Sequence, residues 1–383
     1  MNTEAIALYE QSIVADPTQM SNYWHLGLAL LLQGKEAEAQ ATWMSAMVEG
    51  SLAQIDTWTA ELVEILTVAA QKMEAIADLK YALVIRQYIY EFAPENLDNL
   101  LFIVWLSVEL GLLNEVKVIL AEAINQLPKD IEIEKNISSP NKAGVYYNLG
   151  IALVSIGDWE KGINYFQKAL KVEPNFSDAG LKLAWAKYEI YNKEKGYQFS
   201  QDWFSWNIPI WQEYLQKFAN LASLHFLEIG SWEGRSTCWL LDNILTHESA
   251  EITCIDIFED NQEGCLKTIE ERFDFNIACT GTPEKVKKKI GRSQEVMRTL
   301  PLNFYDVLYI DGSHVASDVL TDAVLGWDLV KVGGIIIFDD YGFNLTDQPN
   351  QSSKVGVDAF LTAFHDKIKV LHQGYQVIIE KLG

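Results

Sequence analysis

Asp311-Gly-Ser-His314 and Asp339-Asp340 are the residues of this chain best suited to chemistry. Each group follows a short run rich in β-formers, Tyr305–Ile310 and Gly334–Phe338. Neighbouring parallel strands would bring the three carboxylates into one crevice, where they repel one another strongly unless a cation sits among them. Donors that are all oxygen select a hard ion such as Mg²⁺, which keeps part of its water and takes substrate oxygens into open positions. The plainer alternative is that these aspartates cap helices or turns. His314, three residues after Asp311, has the residue type of a general base, with an unperturbed pKa of ~6.5. Its competing role is a hydrogen bond that only orients a neighbour.

Two earlier segments share this placement after a strand. Glu228-Ile-Gly230-Ser231-Trp-Glu-Gly234-Arg-Ser236 follows His225–Ile229 and leads into a helical pattern. Its glycines let backbone approach a ligand, and the helix N-terminus offers free amides. The spacing is ExGxxxG, not the GxGxxG that holds a dinucleotide pyrophosphate, and a tight turn remains the competing explanation. Asp256 closes the next strand, Glu251–Ile255, where an acid can accept both hydroxyls of a ribose or simply face solvent. Gly291-Arg-Ser293-Gln294-Glu295 follows a third strand, Val286–Ile290.

The elements that must position these residues alternate strand and helix from Gly196 onward, ending with a helix over Val355–Lys367 and a strand over Gln376–Glu380. Such alternation predicts a doubly wound α/β sheet, whose ligands lie beyond the C-terminal strand ends. Over about residues 198–381 the chain resembles the class I S-adenosylmethionine-dependent methyltransferases, with a Rossmann-like fold. The resemblance implies that Glu228, Gly230, Ser231, Gly234 and Ser236 cradle the amino-acid part of S-adenosylmethionine, that Asp256 holds its ribose, and that Ser293 and Gln294 contact adenine. Catechol O-methyltransferase-like enzymes carry the same Gly-x-Ser-Gln-acid segment. In metal-dependent members an acid after the fourth strand and an acid pair after the fifth hold the ion, which maps onto Asp311, Asp339 and Asp340, with Asp311 also beside the cofactor. Catechol-type enzymes place a lysine where His314 stands. Macrocin O-methyltransferase-like enzymes often lack it and use the metal-bound aspartate. His314 and Asp311 are thus rival bases, and His314 could instead touch the cofactor's sulfonium side.

The first half repeats with a period of 34 residues. Leu26-Gly27, Gly34, Ala39, Trp43 and Ala46 are matched by Leu149-Gly150, Gly157, Gly162, Phe166 and Ala169, followed by Pro174. Pro94 and Pro128 continue the period, Ala5 and Tyr9 fit an initial half-unit, and Val104 replaces the glycine in the middle. Small residues let paired helices approach, aromatics fill the groove of the next hairpin, and Gly or Pro ends each helix. This resembles the tetratricopeptide repeat, roughly four units forming an all-α solenoid that holds a protein partner on its concave face. A terminal helix spans about Ser177–Lys195, and Ile131–Asn141 breaks the register as a loop. Expected domains are 1–196, helical, and 197–383, methyltransferase.

Composition narrows the partners. At 383 residues, 49% hydrophobic and 22% charged, the chain is globular, and its net charge of −23 is shared almost evenly between the halves. That surplus excludes a sequence-independent grip on nucleic acid and disfavours anionic membranes. The absence of a secretory leader or spanning apolar run, and four cysteines without a CxxC pair, point to a soluble, reduced, cytoplasmic protein, and the methyltransferase resemblance implies a bacterial one. Homo-oligomerisation stays open. Trp203-Phe-Ser-Trp206-Asn-Ile-Pro209-Ile-Trp211 falls where small-molecule methyltransferases place a lid, although packing between domains is the competing role. Tyr341 and Phe343 are candidates for an acceptor wall, and Gly342–Lys354, with Asn344, Asp347, Gln348 and Pro349, reads as a polar loop. The expected activity is Mg²⁺-dependent O-methyl transfer to a hydroxyl of a sugar or small natural product. The alternatives are transfer to a glycan or protein recruited by the repeats, and an unreactive scaffold.

Overall fold

The computed structural model describes residues 3–48, 50–112, 142–259, 268–343 and 351–383. Two compact units emerge, Met1–Ala186 and Lys187–Gly383.

The first unit is helical. Its described helices are α1 (Thr3–Ala15), α2 (Met20–Leu31), α3 (Glu36–Met47), α4 (Leu52–Ala75), α5 (Leu79–Phe92), α6 (Leu97–Glu109), α7 (Lys142–Ser155), α8 (Trp159–Val172) and the start of α9 (Ser177–Lys195). The repeat residues act within their own hairpins. A methyl group at Gly27 would strike the Trp43 ring, and one at Gly150 would lie 2.5 Å from the Phe166 ring. Trp43 and Phe166 are fully buried, so each aromatic fills the space its partner glycine leaves in the same hairpin, where the spacing suggested the next one. Trp43 also donates its Nε1–H to the Trp24 carbonyl at 3.2 Å. Gly34 and Gly157 end α2 and α7 with φ of 77° and 95°, a backbone that side-chain-bearing residues adopt reluctantly. Long α4 departs from the 34-residue period and opens on a Ser51–Gln54 capping box. Pro128 and the expected loop Ile131–Asn141 lie outside the described residues.

The second unit is a seven-stranded sheet with helices. After α10 (Ile208–Leu215) come β1 (His225–Ile229), α11 (Arg235–Asn243), β2 (Glu251–Asp256), α12 (Ile269–Thr280), β3 (Val286–Ile290), α13 (Ser293–Val296), β4 (Tyr305–Ile310), α14 (Ala316–Leu329), β5 (Val330–Phe338), α15 (Ser353–Ala363), β6 (Ile368–Gln373) and β7 (Val377–Lys381). The strand order is β3-β2-β1-β4-β5-β7-β6. Strands β1 to β5 are mutually parallel, while β7 runs antiparallel to both β5 and β6. Central strands are nearly continuous apolar runs because helices cover both faces; Leu227, Leu308, Ile336 and Phe338 are fully buried. Edge strand β3 instead carries Lys287, Lys288 and Lys289, which suits an edge that must not recruit another chain. The helix expected over 355–367 matches α15 and the short turn of helix after it, but nothing was expected at 368–373, where β6 lies and its apolar residues alternate weakly.

Stagger at the C-terminal ends matters most for function. The backbone N–H of Gly230 donates to the Ile255 carbonyl, that of Asp311 to Ile229, that of Asp339 to Ile310, and that of Gly291 to Asp256, at 2.8–3.0 Å. Each loop therefore begins clamped to the neighbouring strand.

The Gly150–Phe166 contact is directly testable. Gly150→Val should destabilise the chain by about 1–3 kcal/mol through overpacking. In urea unfolding, the double variant with Phe166→Ala should lose less than the two single losses combined, since removing the ring makes room. Additive losses would refute the contact.

Candidate functional site

Asp311 and Asp339 meet at the ends of β4 and β5. The Tyr309 hydroxyl lies 2.9 Å from Asp311 Oδ2 and also contacts Asp339 Oδ2. One hydroxyl has one proton, so it cannot serve both oxygens at once. Burial and then repulsion from Asp339 push the Asp311 carboxyl well above the usual range. Asp339 is pushed up to about 6 by burial and by Asp340. The Asn207 side-chain amide approaches Asp339 at 3.5 Å.

Asp340 faces another way. Its Oδ2 pairs with His314 Nδ1 at 2.8 Å, and its Oδ1 accepts from the Tyr375 hydroxyl at 2.7 Å. Burial acts to raise its pKa, but the bonds from His314 and Tyr375 outweigh that and leave it lowered. The hydrogen bond to Asp340 in turn raises the His314 pKa. Asp340 has a φ of 56°, a left-handed backbone that turns the second acid of the pair away from the first. Among the described residues, no three Asp, Glu, His or Cys side chains are gathered as a ready metal-ligand set. The structure thus brings Asp311 and Asp339 together and gives Asp340 to His314. The oxygen donors of Asp311 and Asp339 suit a hard cation, which would meet the need that one phenolic proton leaves unmet.

The glycine loop is built more for internal support than its spacing suggested. Glu228 is fully buried and accepts from Ser236 Oγ at 2.6 Å, from Thr237 Oγ1, and from Cys254 Sγ at 3.5 Å. Burial raises its pKa and these bonds counter the rise. Glu228 and Ser236 therefore tie β1 to the start of α11 and are engaged with each other. Ser231 is buried beside them. At Gly230, with φ 84°, a Cβ would strike the Asp311 carbonyl. That glycine is required by the close approach of β1 and β4, independently of any ligand. Gly234, φ 80°, precedes α11, and a Cβ there would press on Phe273 at 3.0 Å.

Asp256 fixes the loop across the β1–β2 boundary. Its two oxygens accept from the backbone N–H groups of Trp232 at 2.8 Å and Phe258 at 2.7 Å. Trp232 and Phe258 have φ of 46° and 49°, strained values for bulky residues that cluster at functional sites. Ser293 donates to Asp322 at 2.7 Å, and Gln294 approaches Asp318 at 3.5 Å.

The tryptophan segment divides. Trp211 is fully buried within the second unit, donating to Gln376 Oε1 at 2.9 Å and packing edge-on to Tyr309 at 4.8 Å. Trp203 and Trp206 stay exposed, next to Trp232 and Tyr375 respectively. Tyr341, expected at an acceptor wall, has its hydroxyl engaged by Lys354, Asp358 and Gln373. Phe343 lies against His314, with ring centroids 5.5 Å apart. Asn344, Asp347, Gln348, Pro349 and Cys265 lie outside the described residues. Sequence reasoning missed Tyr309, Asn207, Glu233 and Tyr375. Tyr309 was discoverable, because two residues before Asp311 on a strand places it on the same face. Glu233, within the glycine loop, accepts from Ser200 N at 2.6 Å and Ser200 Oγ at 2.7 Å.

In the helical unit a groove of about 530 Å³ lies between α1, α2 and α4, lined among others by Tyr9, His25, Leu28, Ile65 and Met73. Among the described residues no helix is long and apolar enough to cross a membrane.

Comparison with known proteins adds two family matches. Residues 227–341 match a methyltransferase domain, and residues 143–176 match a tetratricopeptide repeat. An uncharacterized protein of Acanthamoeba polyphaga mimivirus is 32% identical over 123 residues, covering 31% of this chain and 52% of that protein. The chain thus spans about half the length of the curated relative it matches. Among solved structures, the MycE methyltransferase of the mycinamycin biosynthetic pathway, in complex with Mg and S-adenosylhomocysteine, is 17% identical with a TM-score of 0.35, covering 50% of this chain and 53% of that one. The O-methyltransferase TomG from Streptomyces achromogenes, involved in tomaymycin synthesis and bound to S-adenosylmethionine, is 18% identical with a TM-score of 0.38, covering 52% and 90%.

Asp322 allows a pH test of the site's support. Burial raises its carboxyl to about 6, against the bond from Ser293. A raised acid is harder to ionise in the fold than in the unfolded chain, so its cost appears as pH rises from about 4 to about 6. Asp322→Asn keeps an acceptor for Ser293 and should be more stable than the native chain by about 1–2 kcal/mol at pH 7.5. That gain should fade near pH 4. An equal gain at both pH values, in urea titrations, would show that ionisation is not its source.

Proposed function

We propose that this chain, which carries a methyltransferase domain behind a tetratricopeptide repeat, transfers a methyl group from S-adenosylmethionine to a hydroxyl of a sugar or small natural product. The carrying observation is the meeting of Asp311 and Asp339 on one phenol, beside the His314–Asp340 pair. The chain's working division is 1–196 for partner binding and 197–383 for methyl transfer. The groove of α1, α2 and α4 would accept apolar side chains of a protein partner. Unpaired Cys238, Cys254 and Cys279 suit a cytoplasmic setting.

Cofactor binding falls to the strand-end loops. Gly230, Ser231 and Gly234 bring backbone to the amino-acid part, Glu228 and Ser236 hold that backbone in place, Asp256 keeps lone pairs for ribose hydroxyls, and Ser293 with Gln294 borders adenine. When bound, S-adenosylmethionine supplies an activated methyl group and a hard divalent cation supplies positive charge that acidifies the acceptor hydroxyl. Asp311 and Asp339 would hold that ion; Asp340 would join them as a third oxygen donor only by leaving His314, in which case the acceptor's proton falls to Asp311. The protein's own contribution is position and proton handling. With Nδ1 facing Asp340, His314 leaves Nε2 to receive the acceptor's proton, and the Asp340 carboxylate stabilises the imidazolium that results. Asp311 is the rival base.

Isothermal titration of the full chain with S-adenosylhomocysteine, with and without Mg²⁺, tests the cofactor claim; binding is expected in both conditions, and no binding would defeat it. Transfer to the true acceptor should fail in EDTA and drop about a hundredfold or more in Asp339→Asn. Activity surviving both changes would remove the metal. His314→Ala should lower turnover by about 10²–10⁴-fold, and near-normal turnover would move the proton to Asp311.

A further inference from the structure

One acid of the glycine loop has no part in the mechanism above. Glu233 stands between Trp232 and Gly234 and is 1% exposed. Its side chain accepts from the Ser200 backbone N–H at 2.6 Å, from Ser200 Oγ at 2.7 Å and from the Arg272 guanidinium. Its backbone carbonyl accepts from Asn276 Nδ2 at 2.9 Å. A carboxylate taken out of water is tolerated only when it is paired and hydrogen-bonded. This one is held by a cation and two further donors.

Those donors come from two places. Arg272 and Asn276 belong to α12, whereas Ser200 lies in the stretch between α9 and α10. Asn276 joins the two, since its oxygen accepts from the Gln198 N–H at 2.6 Å and its amide donates to the Gln198 carbonyl at 3.1 Å. The stretch is also fixed to α11. Lys195 and Tyr197 reach Asp242 at 2.9 and 2.6 Å, and Asp202 pairs with Arg235 at 3.2 Å. Glu233 is therefore tied, by side chain and by backbone, to a support anchored on α11 and α12.

The loop's other anchor is Asp256, whose oxygens accept from the N–H groups of Trp232 and Phe258. On the reading above, Asp256 must share those oxygens with ribose hydroxyls. Sharing weakens its hold on Trp232, whose φ of 46° is strained. Glu233, one residue on, holds the loop by bonds that no ribose competes for.

We propose that Glu233, clamped by Ser200 and Arg272, is a positioning residue that sets affinity for the amino-acid part of S-adenosylmethionine. The proposal rests on the methyl-transfer reading and adds a residue to it. The clamp acts on the backbone between Gly230 and Gly234, whereas Asp256 is carried by β2 and fixed there by the Phe258 N–H. Loosening the clamp thus disturbs the groups that meet the amino-acid part and spares the side that meets ribose. A bond from a rigid neighbour sets affinity by preorganisation, with no contact of its own to the ligand.

The test titrates the full chain calorimetrically with S-adenosylhomocysteine and with 5′-methylthioadenosine, which keeps adenine and ribose but lacks the amino-acid part. The native chain should bind both. Glu233→Gln should weaken S-adenosylhomocysteine about tenfold and leave 5′-methylthioadenosine within about threefold. Ser200→Ala, which removes one donor, should weaken S-adenosylhomocysteine about threefold, and Ser200→Thr, which keeps the hydroxyl, should restore it. Should Glu233→Gln fail to fold, the two Ser200 variants carry the same comparison. Equal weakening of both probes would make Glu233 a general support of the unit and overturn the proposal, as would variants that bind S-adenosylhomocysteine like the native chain. Native binding with indifferent variants leaves the methyl-transfer reading standing; no binding by the native chain defeats that reading itself.

Discussion

A half-buried and a buried carboxylate at adjacent strand ends converge on a phenol that has only one proton to share, and the arrangement of the site follows from that shortage. Tyr309 lies within hydrogen-bonding reach of both Asp311 and Asp339. Two like charges this close in a poorly solvated place cannot both ionise without help. A proton or a cation must complete the balance. Gly230 lets β1 close on the Asp311 backbone, and Asp340, with a left-handed backbone, is paired with His314 while its charge still bears on Asp339.

Around this centre, residues that looked like ligand contacts also serve the loops themselves. Glu228 anchors α11 through Ser236 and Thr237, while Asp256 binds the amides of Trp232 and Phe258. A carboxylate oxygen accepts more than one hydrogen bond, so Asp256 can hold a loop and still offer lone pairs. Glu228 has no exposed surface and is held by its bonds to Ser236 and Thr237. The effect of both is preorganisation: the loop conformation is set before anything binds, and its strained residues are held by bonds on both sides.

The helical half obeys a different rule, in which shape replaces charge. Gly27 with Trp43 and Gly150 with Phe166 are the same device used twice, a missing side chain on one helix and a large ring on its partner. Nothing in that device is catalytic. It sets helix spacing, which a solenoid requires at every step.

Much of this was legible in the order of residues. The 34-residue period, the alternation of strand and helix, and acids placed after strands all follow from backbone periodicity, which short-range chemistry dictates. Strand β3 at Val286–Ile290 and helix α9 at Ser177–Lys195 lie where the pattern placed them. By contrast, β6 was invisible because its apolar pattern is weak at a sheet edge, and with it went the β6–β7 turn that carries Tyr375. Asp339 and Asp340 are neighbours in sequence and looked like one ligand pair, yet one backbone angle sends their carboxylates to different partners. Sequence alone established which chemical groups gather at the strand ends. Which of them touch was decided by the tertiary structure, because contact depends on strand stagger, side-chain rotation and close packing between elements far apart in the chain.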